Sequence, residues 1–151
     1  MEIIAQEIEP QHYTTMRLVK SEDLNHHGTL FAGRTAEWVV ESAFIAATSI
    51  LNPKNVVCLN IHGMHFRHPV QLGEILKFSA CIAWTGKSSL TAYVVVQRGR
   101  DNTELVDGFI TFIHVDENTK PLPHGITLLL KTEAQKQLFE KAAGLRSGGG
   151  K

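Results

Sequence analysis

The chain has 151 residues, a length that suits one domain and leaves too little for two sizeable cores. With 43% hydrophobic and 20% charged residues, its composition is that of a globular protein and excludes a disordered one. Fifteen basic residues balance fifteen acidic ones, so the net charge gives no reason to expect nucleic acid or an anionic membrane as partner.

The first seven residues are acidic, with too short an apolar run for a secretory leader. No stretch approaches the roughly 20 apolar residues of a membrane span. A cytoplasmic protein is the expectation. Thr14 to Lys20 alternates loosely and reads as a first strand. A polar loop, Ser21 to Thr29, follows, with Asn25, His26, His27 and Gly28 at its centre. From Gly33 to about Leu51 the pattern is helical. Ala36, Val39, Val40, Ala43, Ala46, Ala47 and Ile50 recur at three- and four-residue steps and form a small-residue apolar face suited to lie close against a sheet. Arg34, Glu37, Trp38, Glu41, Ile45 and Thr48 fall on the opposite stripe. Asn52-Pro53 ends the helix.

Four strand-like runs come next: Val56 to His68, Ile75 to Trp84, Leu90 to Gln97 and Leu105 to Val115. Thr85-Gly86-Lys87 and Gly99-Arg100-Asp101-Asn102 are turn chemistry between them. Consecutive strands with short turns are expected to pair antiparallel. Thr132 to Ala143 reads as a closing amphipathic helix. The expected organisation is one domain over 1–145 and a flexible tail over 146–151. The order of elements predicts an α+β fold, one long helix on a curved antiparallel sheet.

Cys58 and Cys81 both sit in apolar runs and read as buried free thiols, with no disulfide or zinc spacing. His62, His65 and His68 invite a metal reading. Three residues apart on a regular strand, His62 and His65 point to opposite faces, so no metal site is expected. His65 and Arg67 share a face and are candidates to line a groove.

Four motifs, in this order and spacing, resemble the hotdog-fold acyl-CoA thioesterases, from about Thr14 to Pro123. They are the loop from Asp23 to Gly33, Trp38 with an acidic residue after it, His65 to Glu74, and Thr85 to Leu90 followed by Phe112 to Asp116. The resemblance implies a hotdog fold and hydrolysis of an acyl-CoA substrate by water, with no cofactor. It also implies a homodimer or a multiple of dimers, with each site shared between two subunits. In that family the helix carboxylate usually falls seven residues after the last glycine of the loop. Counted from Gly33, that position is Val40; Glu41 stands one residue later and Glu37 three earlier. The role is carried to Glu41, with Glu37 as the alternative.

Such hydrolysis needs a base or nucleophile and donors already in place for the oxyanion. Glu41 is the candidate carboxylate. The backbone N–H groups of Ala32, Gly33 and Arg34 at the helix start are the candidate donors, and Asn25 can donate to the carbonyl or orient the water. His26, His65 and Arg67 are candidates for substrate binding. Lys87, Ser88 and Ser89 are added because the resemblance suggests contacts to the CoA arm. Two competing readings are a hotdog hydratase or dehydratase acting on a β-hydroxyacyl thioester, and a non-catalytic acyl-CoA binder.

Overall fold

The structure, a computed structural model, describes residues 5–149, with backbone only from 146 onward. Seven strands and two α-helices follow in chain order: β1 (Gln6–Ile8), β2 (Tyr13–Leu18), α1 (Ala32–Thr48), β3 (Val56–Phe66), β4 (Ile75–Thr85), β5 (Ser89–Arg98), β6 (Glu104–His114), β7 (Ile126–Leu128) and α2 (Glu133–Gly149). Five strands form an antiparallel sheet in the order β2-β4-β5-β6-β3. The α+β architecture is the expected one, a long helix lying across an antiparallel sheet in the manner of a hotdog fold.

Helix α1 packs with Val39, Ala43, Ala46 and Ala47 fully buried against Phe78, Ala80, Val94 and Ile110 of the sheet. Alanines at these steps let helix and strands approach closely, and removing this apolar surface from water is the main term holding the layers together. The buried stripe is rotated from the expected one. Trp38, expected on the outer stripe, is buried edge-on to Phe78 with ring centroids 6.0 Å apart. Ala36 and Val40 are only half-buried. The rotation works because Thr35 and Ser42 join the buried face, Ser42 donating back to the Trp38 carbonyl at 2.9 Å.

The strands joined by short turns, β4 to β5 and β5 to β6, pair antiparallel as expected. β3 does not pair with β4 but crosses to the far edge beside β6, because the 67–74 connection, broken by Pro69, is too long and irregular for a hairpin. β1 and β7 add a short parallel ribbon that sequence alternation is too brief to signal. The closing helix runs past Ala143 to Gly149, so part of the expected tail, 146–149, is helical, since nothing from Leu145 to Ser147 breaks a helix. Gly150 and Lys151 lie outside the described residues.

Two strand details matter for the site. β3 is an edge strand, yet Val57, Leu59, Ile61 and Phe66 stand 44–52% exposed along it. Its register slips between Ile61 and Met64, where Gly63 takes φ +112°. That bulge breaks the two-residue alternation, so His62 and His65 line one hollow and do not point to opposite faces as expected.

Candidate active site

At the start of α1 the chain folds into a donor site for a simple reason: Phe31, the residue before the helix, has no side chain able to cap it. Its carbonyl receives the Arg34 and Thr35 N–H groups at 3.0 and 3.2 Å. Among the described residues the N–H groups of Ala32 and Gly33 find no acceptor. Arg34, expected as a third donor, is already spent.

Ala32 lines a cavity of about 240 Å³, and Gly33 follows it in the first turn of the helix. Asn25, Ala32 and Thr35 line one side, Arg67 and His68 another, and Leu76, Val96 and Leu105 are among the apolar walls. No aspartate or glutamate lines it. Asn25 also organises its own loop: Oδ1 accepts from the His27 and Thr29 N–H groups at 2.8 and 3.2 Å, and Nδ2 donates to Thr29 Oγ1 at 3.1 Å. One amide hydrogen remains for a ligand. Gly33 has room for a Cβ only by displacing the Phe31 ring, 2.5 Å away, and that ring is exposed and free to swing.

Glu41 lies elsewhere. It lines a second hollow, of about 430 Å³, with Val40, Phe44, Val57 and Cys58. Its Oε1 accepts from Arg17 Nη2 at 2.6 Å, and the Arg17 guanidinium in turn sits 5.2 Å from the centre of the Trp38 ring. Arg34, on the same helix stripe, pairs instead with Glu37 and the buried Asp23. Sequence reasoning missed Arg17, which reaches Glu41 only because β2 runs along the helix. Val40, at the family's carboxylate position, faces the same hollow as Glu41.

The remaining candidates are dispersed. His26 and His27 are exposed, with ring centroids 3.9 Å apart. His65 and Arg67 both approach Asp107 on the sheet face away from α1, at 3.8 and 3.0 Å. Lys87 is exposed and Ser88 half-buried in the β4–β5 turn, whereas Ser89 is 5% exposed, its carbonyl taken by Gly86 N–H and His124 Nε2. Cys58 is exposed, contrary to expectation, because it sits on an edge strand; Cys81 is buried. Burial pushes both thiols up, Cys81 to about 11, so neither supplies a ready thiolate nucleophile.

Residues 27–105 match the model of the thioesterase superfamily, and this stretch runs from the loop through α1 to the start of β6. The chain belongs to the thioesterase superfamily. It is similar to an uncharacterized acyl-CoA thioester hydrolase of Bacillus subtilis, 29% identical over 67% of this chain and 60% of that protein. It is also similar to acyl-coenzyme A thioesterase 11 of Mus musculus, 29% identical over 71% of this chain and 19% of that protein. The chain therefore spans less than two thirds of either relative. Among solved structures, an apo-hexameric acyl-CoA thioesterase superposes with TM-score 0.83 at 29% identity, covering 91% of this chain and 89% of the other. A hexameric thioesterase of Yersinia pestis does so with TM-score 0.67 at 26% identity, covering 72% and 91%.

Proposed function

We propose that this thioesterase-superfamily chain hydrolyses acyl-CoA thioesters to a free acid and CoA, and that each site is completed by a second copy of the chain. The observation that carries this reading is a separation. The helix start with the free Ala32 and Gly33 N–H groups adjoins, through Ala32, a cavity with no carboxylate, while Glu41 lies in a different hollow of the same chain.

The free edge of β3 supplies a way to join them. An exposed apolar edge strand is a ready template for a second strand. Two copies of β3 pairing antiparallel about a two-fold axis near Ile61 would set Val57 of one copy against His65 of the other. The hollow holding Glu41 and Cys58, at the beginning of β3, then meets the cavity holding Asn25 and Ala32, near its end. The hexameric relatives support assembly from more than one copy.

In the joined site, the thioester carbonyl oxygen accepts from the Ala32 and Gly33 N–H groups, where the helix dipole favours the developing negative charge. Glu41 of the second copy takes a proton from a water as that water attacks the carbonyl carbon, and passes it to sulfur as the C–S bond breaks, so that CoA leaves as the thiol. Alternatively Glu41 attacks directly, CoA leaves as the thiolate and takes a proton from solvent, and water then cleaves the resulting anhydride to free acid and carboxylate. Arg17 fixes the direction of Glu41. Lys87 and Ser88 of the second copy, in the turn beside the start of its β3, approach the same junction. The hydratase reading pairs a histidine with a carboxylate; neither His26 nor His27 lines the cavity, and His68, which does, has no aspartate or glutamate beside it there. Among the described residues no helix is long and apolar enough to cross a membrane. The two unpaired cysteines suit a reducing compartment such as the cytoplasm. A panel of acyl-CoA substrates with a free-thiol readout tests the reaction. Thiol release at a rate that Glu41→Gln removes supports it, and tight binding without release turns the chain into a binder.

A further inference from the structure

A polar cluster on the sheet face away from α1 takes no part in the reaction described above. Asp107, in β6, is 9% exposed. Arg67 Nη1 donates to its Oδ1 at 3.0 Å and the Tyr93 hydroxyl donates to its Oδ2 at 3.0 Å. His65 Nδ1 stands 3.8 Å from Oδ1, and the exposed Glu104 lies 3.4 Å from the same Arg67 nitrogen. Tyr93 is itself held against Phe109, ring centroids 4.7 Å apart. Burial, followed by the hydrogen bond to Asp107, pushes the Tyr93 phenol up, so it stays a donor.

A buried carboxylate costs free energy unless it is fully hydrogen-bonded, and an apolar residue of similar size often serves stability as well. What only the carboxylate does is fix the direction of one guanidinium. Arg67 is where this cluster meets the candidate active site. It lines the cavity at the start of α1, and it also lines a hollow of about 250 Å³ on the opposite face with His62, His65, Gly63 and Lys141. Among the described residues only Nη1 of its guanidinium is engaged, leaving Nε and Nη2 to donate elsewhere.

We propose that Asp107, braced by Tyr93, is a positioning residue that aims Arg67 at the phosphorylated arm of the acyl carrier where that arm leaves the thioester cavity. The proposal rests on the acyl-CoA reading. The hollow across Arg67 offers a phosphate a guanidinium, the Lys141 ammonium, the His65 imidazole and the open backbone of Gly63, while the Asp107 carboxylate that also lines it is committed to Arg67 and Tyr93. Without the Asp107 charge, Glu104 is the carboxylate left beside Arg67, and it draws the guanidinium outward to solvent.

The test compares hexanoyl-CoA with hexanoyl-pantetheine, which carries no phosphate. In Asp107→Asn the KM for hexanoyl-CoA is expected to rise about tenfold while kcat stays within about twofold and the KM for hexanoyl-pantetheine does not move. Arg67→Gln should give the same rise, and the double variant no more, because both act through one contact. Tyr93→Phe keeps the ring against Phe109 and should raise the same KM by a smaller factor; with Arg67→Gln it carries the comparison if Asp107→Asn does not fold. An equal rise for both substrates, or a fall in kcat alone, would overturn the proposal. If wild type hydrolyses neither substrate, the acyl-CoA reading has failed. Calorimetric titration then still tests the cluster: tighter binding of CoA than of pantetheine, lost in Asp107→Asn, supports it, and no difference overturns it.

Discussion

At the end of β3, the cavity beside the start of α1 offers two free N–H groups, an amide and apolar walls, and no carboxylate. At the beginning of β3, the hollow beside the middle of α1 holds Glu41 with Arg17 behind it, and lacks those donors. Each region has what the other needs, and a single copy keeps them apart. On the proposed two-copy reading, the exposed Val57, Leu59 and Ile61 between them serve the chemistry as much as assembly. A strand that joins two copies there joins two half-sites.

The largest effect should come from the carboxylate end. Glu41→Gln keeps the side chain's size and removes its charge, and kcat should fall about 10²–10⁴-fold, with acyl-CoA affinity kept. Glu37→Gln, which loses only its pairing with the exposed Arg34, should stay within about twofold. A reversed pattern would make Glu37 the base and break the comparison.

The donor end comes next. In Gly33→Val the new side chain must push the Phe31 ring aside and then stands in front of the two N–H groups. Turnover should fall about 10²-fold or more, the loss typical of a missing oxyanion donor, while thermal unfolding moves little. Near-wild-type rates in that variant would place the oxyanion site elsewhere. Between the ends, Leu59→Lys with Ile61→Lys should convert the assembly to monomers by light scattering and remove activity in step. Monomers that retain full turnover would show that one copy suffices.

The smallest expected effect lies outside both regions. His124 is buried, its Nδ1 accepting from Ile126 N–H at 2.9 Å and its Nε2 donating to the Ser89 carbonyl at 2.9 Å. The ring is therefore neutral in the folded state. Burial lowers its pKa, with the His114 ring, 6.4 Å away, as a lesser cause. A lowered histidine means that the unfolded chain binds more protons, so this contribution is complete above the ordinary value near 6.5 and is lost as pH falls below it. Melting temperature should drop by a few degrees, roughly 2–5 °C, between pH 7 and pH 5, and His124→Gln should flatten that part of the profile. An unchanged slope would show that His124 does not titrate on unfolding.

Much of this was legible in the sequence because it is periodic. Alanines at helical steps from Ala36 to Ala47 and alternation through β4, β5 and β6 announce a helix on a sheet. The polar loop before Gly33 marks the helix start and its free donors. What periodicity cannot carry is pairing at a distance. The crossing of β3 to the far edge, the reach of Arg17 to Glu41 and the exposure of Cys58 all follow from which strand becomes an edge. The Gly63 bulge is a local departure from alternation, and it alone turns His62 and His65 onto one hollow. Helical spacing alone sets Trp38 on the outer stripe, whereas in the structure the buried face turns toward it because Thr35 and Ser42, paired to backbone carbonyls, bury beside it.

The shared site is tested most directly by mixing two inactive variants. Glu41→Gln and Gly33→Val copies, each purified, combined in equal amounts and allowed to exchange subunits, form mixed dimers in which one of the two sites has both an intact Glu41 and an intact Gly33. With random exchange, half of the dimers are mixed, and the activity should recover to about a quarter of wild type. No recovery in a mixture proven to have exchanged would contradict a site built from two copies.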